Sequence, residues 1–221
     1  MISAPILNPS LSATLIPIVY SDDDLIIVDK PYDLLSVPGR GPDKQDCLIS
    51  RLVTQGYNSA LIVHRLDYAT SGLMVVALNK ATHKALSRLF QDRAISKSYQ
   101  AVVTGELSCE QGTVNQPLRC DWENRPLQIV DYEWGKKAVT HWQVIERNEK
   151  STRIMLFPET GRSHQLRVHL QWLGHAICGD RFYADTQGLG QADRLCLHAQ
   201  SIGFTHPVNN EALSFTRECP F

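Results

Sequence analysis

His64-Arg65-Leu66-Asp67-Tyr68-Ala69-Thr70-Ser71-Gly72 sets one carboxylate between an arginine and a turn of small residues, and the apolar run Leu73–Leu78 follows at once. A charge held against a core strand is costly unless an arginine or several hydrogen bonds compensate it. The chain offers such arginines at Arg65, Arg162 and Arg167. A plainer reading stands beside this one: a surface turn in which Asp67 accepts from backbone amides.

Outward from this stretch, Leu73–Leu78 reads as a strand leaving it and Ala60–Val63 as a short strand leading in. Upstream, Leu15–Tyr20 and Leu25–Asp29 read as strands joined by the acidic turn 21–24. Pro31 ends the second, and a loop runs from Lys30 to Arg40. Asp46 is placed to cap a helix running to about Gln55, with Gly56 after it. Downstream, Asn79 caps a helix over Lys80–Arg93, Ser98–Thr104 is a strand, and 106–137 is irregular. Ala138–Arg147 and Thr152–Phe157 form a hairpin. Ser163 is the expected N-cap of a helix from His164 to Leu173, and Leu195–Phe204 returns to extended structure. Strands outnumber helices and several are sequence neighbours, which gives an α+β architecture with a largely antiparallel sheet. Residues 1–14 read as a loosely held lead-in to a single unit over 15–221.

With 221 residues, 43% hydrophobic and 20% charged, the composition is that of an ordinary globular protein. The formal charge of −1 announces no global affinity for nucleic acid. Charge is unevenly placed, however. Asp22, Asp23 and Asp24 precede the first cation, Lys30, and arginines gather from Arg147 to Arg181. The six cysteines form no C-x-x-C pair and fit neither a zinc ribbon nor a disulfide scaffold. No basic n-region opens the chain and no apolar stretch reaches membrane-spanning length, so the expectation is a cytoplasmic protein with no membrane contact.

Three further runs carry chemistry-bearing residues. Thr160-Gly161-Arg162-Ser163-His164-Gln165-Leu166-Arg167-Val168-His169 is a glycine turn opening a helix, a place that favours an anion, whether a phosphate or a carboxylate such as Asp67. A capped helix with solvated cations is the alternative. Lys97-Ser98-Tyr99-Gln100-Ala101 is a strand whose alternation puts Lys97 and Tyr99 on one face, where a tyrosine either joins the core or stacks on a base. Gly174–Tyr183 is a turn-rich run, weak alone. No phosphate-binding glycine loop, dinucleotide fingerprint, H-E-x-x-H or G-x-S-x-G motif is present. His164 and His169, five apart on a helix, point in different directions and make no metal pair.

HRLD-x-x-TSG, K-x-Y-x-A-x-V and TGR-x-HQLRVH, in this order, resemble the RluA family of RNA pseudouridine synthases. Asp29-Lys30-Pro31, Gly174–Tyr183 and Leu197-His198-Ala199 extend the match over nearly the whole chain, with Ala176 and Cys178 minor local departures. The resemblance implies the pseudouridine synthase catalytic fold with a central RNA-binding cleft, over 15–221 and without the S4 domain of many paralogues. It implies isomerisation of uridine without cofactor or metal: the glycosidic N–C bond breaks, the uracil turns, and a C–C bond forms through C5. Carried onto this chain, Asp67 is the essential carboxylate. Tyr99 packs on the flipped base and takes part in late proton transfer. Arg162 pairs with Asp67 within salt-bridge reach, Leu166 adds an apolar contact, and Arg65 enters the space the base leaves. His64, Lys97, Arg167 and Arg40 are further substrate-binding candidates.

Leu34–Arg40 and Cys120–Pro126 match the branch that acts on a tRNA anticodon stem-loop (uridine 32) and a 23S rRNA hairpin (uridine 746). RNA is therefore the expected partner of a monomer. The rivals are a non-catalytic RNA-binding or chaperone protein on this fold, a phosphate-handling hydrolase at Gly161–Ser163, and a merely structural Arg162–Asp67 pair.

Overall fold

A computed structural model describes residues 15–221, so the expected lead-in over 1–14 lies outside the described residues. The strands are β1 (Ile18–Ser21), β2 (Leu25–Lys30), β3 (Leu61–Ile62), β4 (Ser71–Ala77), β5 (Ser96–Thr104), β6 (Gln111–Val114), β7 (Leu118–Cys120), β8 (Gln128–Val130), β9 (Thr140–Asn148), β10 (Ser151–Pro158), β11 (Leu197–Thr205) and β12 (Ala212–Thr216). The helices are α1 (Leu48–Thr54), α2 (Lys80–Gln91), α3 (Gln165–Trp172) and α4 (Thr186–Leu189). The main sheet runs β1-β2-β4-β11-β5-β10-β9-β6, with β3 also on β4 and β12 also on β11, while β7 and β8 form a separate two-stranded arm. Every pairing is antiparallel except β4 with β11 at its centre, which is the α+β mixed sheet expected.

Period-2 alternation explains the central strands. Ile26, Val28, Met74 and Val76 face α1 through Leu48 and Leu52. Leu25, Ile27, Leu73, Val75 and Ala77 face α2 through Leu86. Both sides are buried, so β4 reads as one continuous apolar run. A third cluster joins Ala101, Ile154 and Leu156 to Leu166 and Leu170 of α3. Tyr99 packs against the first and third of these clusters, where the two halves of the sheet meet. Gly72 makes the central parallel pairing possible: its φ is +115°, and a Cβ there would collide with the Ala199 backbone.

Local signals decided several elements. Asn79 Oδ1 accepts from Thr82 N and caps α2 as expected. Two caps differ. Cys47, not Asp46, caps α1 in a reciprocal box with Ser50, because Asp46 is engaged by Arg51 at 2.6 Å. The residue ahead of α3 is His164, in the left-handed region at φ 52°, and not Ser163. No side chain caps α3; the Gln165 side chain instead ties down the turn before it, its Oε1 accepting from Arg162 N (3.0 Å) and Thr160 Oγ1 (2.7 Å). The stretch 106–137, expected to be irregular, instead supplies the short strands β6, β7 and β8.

Candidate active site

Asp67 opens a turn closed by Thr70 N donating to Asp67 O (3.1 Å), and the chain then enters β4. Its neighbours on both sides are pinned. Ser36 Oγ donates to Leu66 O (2.9 Å) and accepts from Leu66 N (3.2 Å). Tyr68 O accepts from Lys30 Nζ (3.2 Å) and Leu34 N (3.2 Å). Lys30 is fully buried, and its ammonium also donates to Leu34 O (2.6 Å) and Pro31 O (2.9 Å). Three carbonyls match the three N–H groups of one ammonium. Burial pushes Lys30 down to about 7, although the Asp67 and Asp33 charges pull it back up.

The cation facing Asp67 is Arg167, with Nη1 3.5 Å from Asp67 Oδ2. This corrects the expected Arg162–Asp67 pair. Arg162 makes no ion pair with Asp67; its Nε donates to Lys137 O (3.1 Å) and the residue is exposed at the cleft rim. The reason is the left-handed turn at His164, after which the first helical turn carries Arg167 inward. Arg167 is held by a fork to the buried Asp180: Nε to Oδ2 at 2.7 Å and Nη2 to Oδ1 at 2.6 Å. The Phe182 and Tyr183 rings lie 5.2 and 5.1 Å from its guanidinium carbon. Burial works against this charge, but the Asp180 bonds and the Asp180 and Asp67 charges outweigh it and raise the Arg167 pKa. His164 adds a weaker neighbour, Nε2 3.9 Å from Asp67 Oδ2, with Nδ1 2.7 Å from the Tyr183 hydroxyl.

Beside Asp67 a niche of about 100 Å³ is walled by Tyr99, Leu166, Thr70 and Arg65. Burial and the Asp67 charge raise the Tyr99 pKa, so its phenol stays a proton donor. The niche adjoins a cleft of about 1890 Å³ lined by ten lysines and arginines against five acidic residues. The chain's charge of −1 therefore hides a strongly basic concavity. Arg40, Arg65, Lys97 and Arg162 all lie on it. Lys97 Nζ sits 5.6 Å from the Phe90 ring centre. His64 lines the cleft too, but its Nε2 accepts from Val75 N (3.1 Å) and its ring stacks on Phe90 at 4.5 Å. Burial and the Lys97 charge push His64 down to about 3, so it is a neutral strand anchor rather than a cation for substrate.

Lys30, Ser36, His164 and Asp180 complete the site; none was singled out as a site residue from sequence, although Lys30, His164 and Asp180 lie in stretches that carry the family match. Asp180 stood in the turn-rich run 174–183, and Gly179 before it has φ +74° and lies where a Cβ would strike Arg194 O. Away from the cleft, Asp22, Asp24 and His206 bring ligand-type atoms within 4.8 Å of one another. His206 Nδ1 accepts from Val208 N (3.2 Å) and Asn209 N (3.3 Å), which places the ring proton on Nε2, facing Asp22 Oδ2 at 3.2 Å. A nitrogen carrying its proton is no ligand, so the group is not read as a metal site.

A carboxylate, a fixed guanidinium and a phenol around one niche in a basic cleft define an enzyme acting on nucleic acid. A family model described as RNA pseudouridylate synthase matches residues 24–172. The dual-specificity RNA pseudouridine synthase RluA of Haemophilus influenzae is 47% identical over 215 residues, 97% of each chain. The protein of the same name from Escherichia coli K12 is also 47% identical over 215 residues, again 97% of each. Among solved structures, human RNA pseudouridylate synthase domain containing 1 superposes with a TM-score of 0.79 at 28% identity, covering 95% of this chain and 86% of that one. Human RNA pseudouridylate synthase domain containing 4 gives 0.72 at 26%, covering 92% and 88%. The chain belongs to the RluA family of RNA pseudouridine synthases. It is an isomerase of RNA uridine, and the reading as a non-catalytic RNA-binding protein gives way.

Proposed function

We propose that this pseudouridine synthase has two substrates, uridine 32 of a tRNA anticodon stem-loop and uridine 746 of a 23S rRNA hairpin. The words "dual-specificity" in the names of its relatives support two targets. Single-stranded loops are read by shape and splayed bases, so one cleft serves two loops of similar fold. The target nucleotide leaves its stack for the niche, and Arg65 fills the gap and offsets part of the unstacking cost. Tyr99 packs on the base, with Leu166 below it. Asp67 is the essential carboxylate, and Arg167 rather than Arg162 faces it, at 3.5 Å, and aims it. Arg162, Arg40 and Lys97 grip the RNA backbone. Attack on the ribose, attack on the uracil ring and a glycal route all use Asp67 ionised.

The N1–C1′ bond breaks and the C5–C1′ bond forms; C5 loses a proton and N1 gains one. Atoms and electrons balance without a co-substrate. We read the enzyme as a cytoplasmic monomer, and its six free thiols support the reducing compartment. No helix among the described residues is long and apolar enough to cross a membrane.

The observation carrying this reading is Asp67 beside Arg167 at 3.5 Å in a niche walled by Tyr99 and Leu166. The test is pseudouridine formation on both transcripts with Asp67→Ala alongside. Conversion of both, abolished in the variant, is expected. Conversion of neither overturns the substrates, and an active variant overturns the role of Asp67.

A further inference from the structure

The β7–β8 loop forms a cleft wall that the chemistry above leaves unused, and Cys120, Arg125, Pro126 and Gln128 line the cleft there. The loop is a closed turn. Asp121 N donates to Leu127 O (2.9 Å), Leu127 N to Asn124 O (3.0 Å), and Asn124 Nδ2 to Asp121 Oδ2 (2.9 Å). On it Trp122 is 65% exposed. The Arg125 guanidinium carbon lies 4.6 Å from its ring centre, and Arg125 Nε donates to Trp122 O (3.3 Å). A large aromatic left in water and backed by a cation is a preformed platform with one partner missing.

The loop is also tied to the reacting centre. Gln128 N donates to the Tyr183 hydroxyl (2.9 Å), which meets His164 Nδ1 at 2.7 Å, and His164 Nε2 stands 3.9 Å from Asp67. Whatever docks on the loop is therefore held in fixed register with Asp67. The acidic Asp121 and Glu123 flank Trp122, so the turn is not a phosphate cradle. A flat, uncharged π-face suits it.

We propose that Trp122 and Arg125 form a stacking subsite for an unpaired base of the RNA loop, other than the uridine that reacts. This rests on the reading of the substrates as loop RNAs and deepens it. Stacking tolerates any base, so one platform serves two loops whose sequences differ.

The experiment measures Kd and the single-turnover rate at saturating enzyme on the anticodon stem-loop transcript, for wild type, Trp122→Ala and Trp122→Phe. Trp122→Ala is expected to weaken binding about tenfold, with Phe restoring most of it and the saturated rate changing far less. Abasic nucleotides placed in turn through the loop should reveal one position that weakens wild type about as much but adds nothing in Trp122→Ala. The idea fails if the Trp122→Ala Kd stays within about twofold of wild type, or if every abasic penalty is the same in both proteins. A wild type that binds the transcript yet makes no pseudouridine on it overturns the substrate assignment instead, and the Kd comparison still decides the subsite. Unchanged melting of Trp122→Ala checks that its effect is on the RNA.

Discussion

Arg162 and Arg167 stand five residues apart in one motif, and the molecule uses them in opposite ways. Arg167, on the cleft floor, is 4% exposed and has its guanidinium assigned to Asp180 and Asp67. Arg162, on the rim, keeps one bond to a backbone carbonyl and leaves the rest of its charge to solvent. The floor cannot leave a charge unmatched, because an uncompensated buried ion costs several kcal/mol. The rim can, and a cation whose partner has yet to arrive is what a polyanion needs. Lys30 and its three carbonyls belong to the floor; Arg40 and Arg65 belong to the rim.

The largest effect expected is at Asp67, the carboxylate proposed to react. Asp67→Asn should slow pseudouridine formation by a factor on the order of 10⁴ or more, with RNA still bound. Single-turnover rates and a filter-binding Kd check this. An active Asp67→Asn would mean that the floor is built around some other group.

Next comes the group behind Arg167. Asp180→Asn keeps the shape but leaves the buried guanidinium with only the more distant Asp67 carboxylate, at a cost of about 3 kcal/mol, or roughly 10 °C in Tm for a chain of this size. Turnover should fall as well, since Arg167 loses the fork that aims it at Asp67. A variant that melts with wild type would show that the floor tolerates an unmatched charge, and the contrast with the rim would collapse.

Lys30 gives the floor a pH dependence of defined sign. Its folded pKa is about 7, because burial opposes the charge, and its unfolded value is near 10.4. Between these values the unfolded chain binds more protons, so stability from this group rises with pH from about 7 to about 10 and is flat below. Relative to Lys30→Met, wild type should gain about 2 kcal/mol between pH 7 and 9 in urea titrations. Parallel curves for the two proteins would show that Lys30 stays protonated throughout.

What the sequence made legible divides along similar lines. Asn79, the β9–β10 hairpin and the α2 face were readable because cap, turn and periodicity are local. Asp67 and Tyr99 were assigned roles through the family resemblance, since residue type and spacing alone left a surface turn and a core tyrosine open. Which arginine meets Asp67 was not readable, since Ser163 is the better cap by type, whereas the fold sets His164 left-handed ahead of an α3 with no side-chain cap. Lys30 stood in a matching stretch, but its role was unreadable because its acceptors are main-chain oxygens of residues 31, 34 and 68. The short strands β6 to β8 lack enough alternation to declare themselves, and β6 finds its partner only in β9.

The smallest expected effect is the one that most sharpens the contrast. Arg162→Ala removes an exposed side chain with a single bond, so stability should move by no more than about 0.5 kcal/mol. Its cost should emerge only when RNA is present, and as salt dependence. If Arg162 neutralises one phosphate, the slope of log K against log salt should fall by about 0.7 to 1 in the variant, with affinity lowered across RNA sequences alike. Arg167→Ala gives the opposite pattern, a large loss of stability with little change of slope, because its charge is already matched inside the protein. Were Arg162→Ala to abolish turnover at saturating RNA and leave the salt slope intact, Arg162 would be acting on Asp67 after all. The cleft would then have to close by enough to carry it from the rim to the floor.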